Sequence, residues 1–374
     1  MAAEIVAQWL QVLHGRYPPA QAADWDNVGL QVGDPAWPVE RVLVTLDVTS
    51  EVIAEAADGP PTLVVAHHPL LFRPVKSLTP ATAAGRVALA AARAGVAVTA
   101  AHTNLDVAQD GAGTSTPVAE ALALTDRRPL TSETRDGERV KLVTFVPPEA
   151  LTMVIDGVSA AGAGRIGDYE RCTFRVAGTG TFRPMEGADP YSGEGIGQDA
   201  EEDEYRLEVE LPTSRIGAVV RGLQQSHPYD EVAYDLVPLL DGAEVGFGIV
   251  GTLPEVQPLS AVAAQIRERL PAPHLRIAGD PDRPVRTVAA VGGAGDGLIG
   301  AALAAGVDVY VTGDLRHHVT LDALEQGLAL IDAGHHATEA AAMPAFADRL
   351  ERDARGQGLL APVVASAVAT VPWR

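Results

Sequence analysis

The apolar and polar positions of the chain predict two regions in which short buried strands alternate with helices. The first region carries strands and helices predicted at Arg41–Leu46, Ser50–Ala57 with Ser50 as its N-cap, Thr62–Ala66, Ala81–Ala94 and Val96–Ala101. The second region carries those predicted at Val285–Val291, Leu298–Ala305, Val307–Thr312, Val319–Gln326, Leu328–Ile331 and Ala337–Arg352. Strands that alternate with helices in this way are typical of mainly parallel sheets.

The region between them, roughly residues 140–238, carries a weak internal repeat. A strand, a proline, a helix and a second strand follow one another twice, first over 141–177 and again over 205–237. This order predicts a ferredoxin-like module, and the Gly-, Pro- and acid-rich segment Arg183–Asp203 between the repeats is expected to be poorly ordered. We therefore expect an α/β fold of two α/β lobes with mainly parallel or mixed sheets, plus an inserted α+β ferredoxin-like (βαββαβ) domain. The expected domains are 1–135 with 245–374, and 138–242.

Composition narrows the classes of function. The 28 Lys and Arg residues are outnumbered by 49 Asp and Glu, and the resulting charge of −21 disfavours binding to nucleic acid or to an anionic membrane surface. Cys172 is the single cysteine, so a disulfide within the chain and a thiolate zinc site are both excluded. No apolar run reaches the roughly 20 residues that span a bilayer, and Met1–Leu13 lacks the features of a signal peptide. A cytoplasmic location is expected.

Histidine placement is the strongest chemical signal. Seven of the ten histidines fall in four clusters, each just past the carboxyl end of a predicted strand. The clusters are His67-His68, His102 with Asp106, His317-His318 after Asp314, and His335-His336 before Glu339. Ligands of parallel α/β sheets bind outside the carboxyl ends of the strands, so these side chains are expected to converge.

Local geometry makes the clusters suitable for metal ions. His67 and His68 point to opposite sides of an extended segment, whereas His335 and Glu339 share one helix face at i and i+4. Imidazoles and carboxylates without thiolate suit Zn, Mn, Fe, Co or Ni. Two ions about 3.5–4 Å apart, bridged by a carboxylate such as Glu339, would activate water for hydrolysis. Asp314 and His318 would then orient the ligands, and these two residues and Glu339 are the candidates for catalysis. The alternative is a set of unrelated surface or core histidines.

A glycine motif supports a competing interpretation. Gly295, Gly297 and Gly300 match G-x-G-x-x-G after a predicted strand, and Asp314 ends the next strand, where a ribose-binding acid would lie. The same glycines also fit a tight turn that needs small residues, or a turn whose amides bind a substrate phosphate near the metals. Dinucleotide binding therefore remains an alternative to the metal site.

Several motifs together resemble the GTP cyclohydrolase I type 2 homologue family, a family of dinuclear-metal hexameric proteins. The matching segments are Asp24–Gly33 (DWDNVGLQVG), His67–Phe72 (HHPLLF), His102–Asp106 (HTNLD), Val311–His318 (VTGDLRHH) and Asp332–Glu339 (DAGHHATE), with Gly178–Phe182 and His227–Asp235 in the inserted region. The resemblance implies two divalent metal ions per chain, held by His67, His68, Asp106, His335 and Glu339, with Glu339 touching both. His317 and His336 occupy positions that vary in the family.

The resemblance also implies a toroidal homohexamer whose dinuclear metal centres face an internal cavity. The expected function is that of a metal-dependent hydrolase acting on a nucleotide-like or phosphorylated small molecule, either GTP cyclohydrolase-like or a phosphoesterase. The alternatives are a non-catalytic metal-binding or regulatory hexamer and, from the glycine motif, a dinucleotide enzyme.

Overall fold

The computed structural model describes residues 3–108, 111, 113–131, 136–167, 169–192, 195–240 and 246–373. The chain separates into two compact units, one formed by Met1–Glu133 with Glu244–Arg374 and the other by Thr134–Ala243. The first unit, here called the sheet unit, is discontinuous in sequence. The second is the inserted unit.

The helices and strands alternate along most of the chain. The first segment contains α1 (Val6–Arg16), β1 (Gly29–Val32), β2 (Arg41–Thr45), α2 (Ser50–Ala57), β3 (Thr62–Ala66), α3 (Ala83–Ala94), β4 (Ala97–Ala100), α4 (Thr103–Asp106), α5 (Thr116–Ala121) and β5 (Thr125–Pro129). The inserted unit contains β6 (Asp136–Val146), α6 (Leu151–Ala160), β7 (Thr173–Phe182), β8 (Ala200–Pro212), α7 (Ile216–Ser226) and β9 (Tyr234–Leu240). The last segment contains β10 (Ile249–Pro258), α8 (Leu259–Arg269), β11 (Arg276–Ala278), β12 (Pro284–Ala294), α9 (Ile299–Ala304), β13 (Val309–Gly313), α10 (His317–Glu325), β14 (Ala329–Asp332), α11 (His335–Ala340), α12 (Met343–Gly356) and β15 (Val363–Ala365).

The sheet unit is built on two mixed sheets. The first has the order β1-β4-β3-β2-β15, and its strands are parallel except for β1. The second has the order β11-β14-β13-β12-β10-β5, with a parallel centre of β12, β13 and β14 and antiparallel outer strands. The prediction of an α/β fold with mainly parallel or mixed sheets is therefore confirmed.

Apolar runs form the central strands because both faces of each sheet are covered. Val42 and Val44 of β2 pack in a core with α1 and α12, whereas Leu43 packs on the other face with α2 and α3. In the second sheet, Val309 and Val311 lie in one core and Tyr310 lies in another. Strands buried on both faces have continuous apolar sequences rather than alternating ones.

Two local predictions differ from the structure. The hydroxyl of Thr49, not Ser50, caps α2 by accepting a hydrogen bond from the Val52 amide at 3.3 Å. Ser50 is already the first helical residue. The single helix predicted over 337–352 is two helices, α11 and α12, because Pro344 occupies the first turn of α12, where the missing amide hydrogen is tolerated.

The inserted unit is a four-stranded antiparallel sheet with two helices. Its strand order, β7-β8-β6-β9, and its connectivity are those of the ferredoxin-like βαββαβ module. The core lies between the sheet and helices α6 and α7, and Leu142 and Val209 are among its buried residues. Strand β8 begins at Ala200, so the connecting loop ends earlier than predicted. Residues 193 and 194 of that loop lie outside the described residues, and Arg183 and Asp199 form a two-point ion pair at its base.

Among the residues that the structure describes, no helix combines the length and the apolar composition needed to cross a membrane.

Candidate metal centre

Polar side chains converge where the parallel strands of the two sheets end. His67 and His68 directly follow β3, and His102 follows β4 at the start of α4, which carries Asp106. From the second sheet, β14 leads into α11 with His335 and Glu339. The backbone of the first pair is fixed by hydrogen bonds from the His67 and His68 amides to the carbonyls of residues 45 and 46. These hydrogen bonds therefore fix the position of both imidazoles relative to the sheet.

The five residues for which metal binding was expected lie together. Three groups of imidazoles and carboxylates offer ligand atoms within 4.8 Å of one another, namely His67 with Asp106 and Glu339, His68 with His335 and Glu339, and His67 with His68 and His102. The first two groups share Glu339. His102 was not expected to be a metal ligand, but it lies beside the five residues that were. We call these six residues the cluster.

Glu339 joins the two groups through different oxygen atoms. Its Oε1 lies 3.6 Å from Nε2 of His67, while its Oε2 lies 3.0 Å from Nε2 of His68 and 3.1 Å from Nε2 of His335. These approaches are short, but they are not aligned as hydrogen bonds, and Oε2 of Glu339 and Nε2 of His67 are buried without a hydrogen-bond partner. Buried donors and acceptors left without partners are costly. A cation in the His68 group would satisfy Oε2 of Glu339, and a cation in the His67 group would satisfy Nε2 of His67.

All four imidazoles are oriented in the same way. In each ring Nδ1 faces an acceptor outside the cluster, and the partners are the Ala101 carbonyl for His67 at 3.0 Å, Asp47 for His68 at 2.7 Å, Asp26 for His102 at 2.8 Å and Asp314 for His335 at 2.8 Å. An Nδ1 that donates outward leaves the lone pair of Nε2 directed inward in the neutral ring. Hydrogen bonds of this kind orient the histidine ligands of metal ions.

Two carboxylates, the buried Glu339 and the partly buried Asp106, lie close together in the cluster. Burial and the charge of Glu339 raise the pKa of Asp106, against the attraction of His67 and a 2.5 Å hydrogen bond donated by Thr114. Burial alone would also raise the pKa of Glu339, but His335, His67 and His68 outweigh it and hold that pKa well below its usual value. Two carboxylates that are shielded from most of the solvent create a negative field that attracts positive charge.

The same field acts on the imidazoles. Burial would lower the pKa of His68, but Asp47 and Glu339 raise it to about 10. For His335, Glu339 and Asp314 outweigh burial and raise the pKa to about 9. An environment that favours a proton on these nitrogens also favours a metal cation in its place. Together with the unpartnered atoms and the all-imidazole and carboxylate donor set, this fits divalent transition-metal ions.

Close backbone packing gives Glu339 its position. A Cβ atom at Gly293, the second-last residue of β12 with φ of +72°, would lie 2.0 Å from Oε1 of Glu339. The Gly293 amide donates to Oγ1 of Thr338 at 2.9 Å, so the strand and α11 touch directly. Asp314 has a left-handed backbone with φ of 56°, a conformation that Asp tolerates better than most residues, and its side chain there reaches His335.

Close packing explains the first glycine of the motif at 295–300, whereas a Cβ atom at Gly297 or Gly300 would meet nothing within 4 Å. Its turn leads through a short 3-10 segment into α9, which has only six residues. A Cβ atom at Gly295 would lie 2.2 Å from Oγ1 of Thr312 and 2.3 Å from the hydroxyl of Tyr310, and that hydroxyl donates to the Gly295 carbonyl at 2.8 Å. Asp314 contacts His335 as described above. Side chains of the sheet thus occupy the space beside this turn.

An exposed aromatic pair stands at the edge of the cluster. Trp25 is 63% exposed and Phe72 is 43% exposed, and their rings meet edge to face at 5.9 Å. Both rings lie about 6 Å from His102, at 6.1 Å and 6.0 Å. Neighbouring residues hold the pair in place, because Asp26 bonds to His102 and Asn27 donates to the Leu71 carbonyl at 2.5 Å. We call Trp25 and Phe72 the aromatic rim.

A cavity opens beside His68. Its volume is about 430 Å³, and its wall includes Asp47, the first turn of α2, and the apolar side chains of Leu70 and Val87. Ligand pockets in proteins commonly begin at about 300 Å³. The cluster is thus flanked by an aromatic rim and by a cavity with mixed polar and apolar walls.

Not every histidine with a strand-end position joins the cluster. His317 and His318 lie exposed at the start of α10, with ring centres 5.2 Å apart, and neither belongs to the three groups formed by the described residues. His336 is half-buried next to His335 and also lies outside those groups.

Asp26, Asp47 and Thr114 contact the cluster, although sequence reasoning assigned them no role. For Asp47 a signal existed, because it is the second residue after β2, just as His68 is the second residue after β3.

Comparisons with known proteins agree with this architecture. The family model described as Duf34/NIF3 (NGG1p interacting factor 3) matches residues 5–372. The chain belongs to the Duf34/NIF3 family. A Bacillus subtilis member named GTP cyclohydrolase 1 type 2 homolog is 42% identical over 331 residues, which cover 88% of each chain. A Mycobacterium tuberculosis member of the same name is 38% identical over 374 residues, covering 98% of this chain and 96% of the relative. The resemblance seen in the sequence motifs is thereby confirmed.

Solved structures extend the family likeness to the fold. The crystal structure of a Bacillus cereus protein related to NIF3 matches with a TM-score of 0.78 at 36% identity and covers 100% of both chains. A Staphylococcus aureus protein matches with a TM-score of 0.80 at 28% identity over 100% of this chain and 99% of its own. The likeness to these two solved structures therefore covers both the sheet unit and the inserted unit.

Proposed function

We propose that this Duf34/NIF3 protein holds two divalent metal ions with His67, His68, Asp106, His335 and Glu339. The position of Glu339 carries the proposal, since one carboxylate oxygen faces His67 and the other faces His68 and His335. A carboxylate placed in this way is suited to bridge two ions. The donor set is compatible with Zn, Mn, Fe, Co or Ni.

The proposed reaction is the metal-dependent hydrolysis of a nucleotide-like or phosphorylated small molecule. Two divalent ions at such a site supply Lewis-acid chemistry, polarising an oxygen of the substrate and making water more acidic. The residues of the chain hold the donor atoms in place, and Asp47 and Asp314 fix the orientation of His68 and His335. Thr114 does the same for Asp106 through its hydroxyl.

The surroundings of the cluster favour a substrate with a planar ring. The exposed faces of Trp25 and Phe72 could stack on a nucleobase, and such stacking is insensitive to base identity. The 430 Å³ cavity beside His68 has room for a small organic ligand. The names of the relatives point to GTP cyclohydrolase-like chemistry, and phosphoester hydrolysis is equally suited to a two-metal site. The toroidal homohexamer implied by the resemblance and the cytoplasmic location expected from the composition remain parts of the same proposal.

The metal centre is tested by metal content per chain. We expect about two ions in the wild type, measured by elemental mass spectrometry on untagged protein, and a clear loss in Glu339→Ala because the shared carboxylate is gone. Glu325→Ala, which removes an exposed carboxylate of α10, is the matched control and should keep the wild-type content. Wild-type protein without metal, even after reconstitution, would refute the centre.

Turnover and substrate class are tested together. The metal-loaded protein is assayed against nucleotides and against simple phosphoesters that lack a ring. Trp25→Ala should raise KM for the nucleotide about 10-fold, in the range expected for the loss of one stacking contact, with little change for the ring-free ester. Tyr169→Ala, an exposed aromatic of the inserted unit, serves as control. Bound metal without turnover on either class would favour a non-catalytic metal-binding or regulatory protein.

A further inference from the structure

The order of strands in the first sheet brings the polar residues that follow four of its strands into one row. The carboxyl ends of β4, β3, β2 and β15 lie side by side, since these strands are parallel neighbours. Beyond β4 come His102 and Asp106, beyond β3 come His67 and His68, and beyond β2 comes Asp47. The segment that follows β15 continues the row on the far side of Asp47.

That segment reaches Asp47 directly. Oγ1 of Thr370 donates a hydrogen bond to Oδ2 of Asp47 at 2.6 Å, while Oδ1 of Asp47 lies 2.7 Å from Nδ1 of His68. Both oxygens of the Asp47 carboxylate are thus engaged, one on each side. Since the side chain of Asp47 is still 36% exposed, the second bond limits a rotation that solvent would otherwise permit.

The segment is attached to the sheet unit before it reaches Thr370. The Ser366 amide donates to the Val44 carbonyl at 2.7 Å, and the Ala367 amide donates to Glu55 at 3.1 Å. Val368 packs against the core between β2, α2 and α3. These contacts place the Thr370 hydroxyl within a fixed part of the unit.

We propose that Thr370 is a positioning residue for metal binding, acting through Asp47 on His68. The inference rests on the proposed metal centre and concerns one of its two groups. His68 belongs with His335 and Glu339, whereas His67 is oriented by the Ala101 carbonyl instead of Asp47. Thr370 therefore supports the ion of the His68 group and not the ion held by His67 and Asp106.

The test compares Thr370→Val, which keeps the shape of the side chain and removes its hydroxyl, with Thr370→Ser, which keeps the hydroxyl. Protein reconstituted with Zn²⁺ is challenged with a chelator, and zinc release is followed over time. Removing a residue that orients a metal ligand commonly lowers metal affinity by about 10- to 100-fold. Thr370 lies one hydrogen bond further from the metal ligand than Asp47 does. We expect Thr370→Val to release one of two zinc ions about 3- to 10-fold faster, the second at the wild-type rate, and Thr370→Ser to restore both.

A thermal unfolding curve of the metal-free proteins separates positioning from folding. Equal midpoints for Thr370→Val and wild type, together with selective zinc release, support the proposal. Unchanged zinc release in Thr370→Val overturns it, as does an equal defect in Thr370→Ser, because the hydroxyl would then have no part. Wild-type protein that binds no zinc refutes the metal centre itself, which is a different result.

Discussion

At the scale of single residues, Gly293 determines where the carboxylate of Glu339 can lie. Its φ of +72° is unfavourable for residues with a Cβ atom, and the space that a Cβ would take is filled by Oε1 of Glu339. Glycine is therefore needed at 293 both for its left-handed backbone and for the close approach of Glu339. Neither reason applies to Gly297, where a Cβ would meet nothing within 4 Å.

Gly293→Ala should therefore displace Glu339 and lower metal content. The left-handed backbone adds a cost of about 1–2 kcal/mol to folding. We expect a lower thermal midpoint and a loss of at least one metal ion per chain, measured by elemental mass spectrometry. Gly297→Ala is the control within the same turn and should retain metal. If Gly297→Ala lost metal as readily as Gly293→Ala, the local packing argument would be wrong.

Sequence reasoning found residues of the cluster where a strand pattern preceded them. His67, His68 and Asp106 follow apolar runs in the chain, so their convergence could be predicted from the topology of parallel sheets. Asp26 lies in an irregular segment. Thr370 follows a three-residue strand that pairs with β2, which lies near the other end of the chain in sequence. Such long-range contacts depend on tertiary packing, which no local pattern reports.

At the scale of elements, His227 links the end of α7 to strand β6. The residue is 8% exposed, and its Nε2 donates to the Phe145 carbonyl at 2.9 Å while its Nδ1 accepts from the Tyr229 amide. The pair of bonds requires the neutral ring, because only an unprotonated Nδ1 can accept from the Tyr229 amide. Burial lowers the pKa of His227 below its ordinary value of 6.5, against the opposite effect of the Phe145 carbonyl.

This link makes stability depend on pH. Because the folded pKa lies below the unfolded value, the unfolded state takes up the proton first, and the free energy of unfolding falls as pH drops through 6.5. His227→Gln keeps a donor for the Phe145 carbonyl and does not titrate. We expect the difference in stability between wild type and His227→Gln to shrink between about pH 7.5 and about pH 5, measured by urea unfolding. A difference independent of pH would contradict the neutral-ring assignment.

The predicted elements differ from the structure mainly at their ends. Apolar periodicity identified the strands because it reflects burial, which extends along a whole element. The cap at Thr49 and the break between α11 and α12 depend on single hydrogen bonds and on the place of Pro344. Adjacent Thr and Ser residues are nearly equivalent as caps, so sequence alone could not choose between them.

At the scale of the whole molecule, the charge of −21 and the carboxylates of the cluster are separate features. Most acidic residues are exposed or partly exposed at the surface, whereas Glu339 is buried and Asp106 is mostly shielded from solvent. The composition excluded a thiolate metal site within the chain. The order of strands, in contrast, predicted where the carboxylates of the cluster lie. The family model matches residues 5–372, so membership of the family covers both units of the chain.

The discontinuous sheet unit has a consequence for biosynthesis. His67, His68 and Asp106 are translated in the first segment, whereas Glu339 follows the inserted unit. More than two hundred residues separate Asp106 from Glu339, and at roughly 5–20 residues per second their synthesis takes on the order of 10 to 50 seconds. Throughout that interval the nascent chain displays three of the five proposed ligands without the carboxylate of Glu339 that joins the two groups. Any ion that depends on Glu339 can be captured only when the ribosome has made nearly the entire protein.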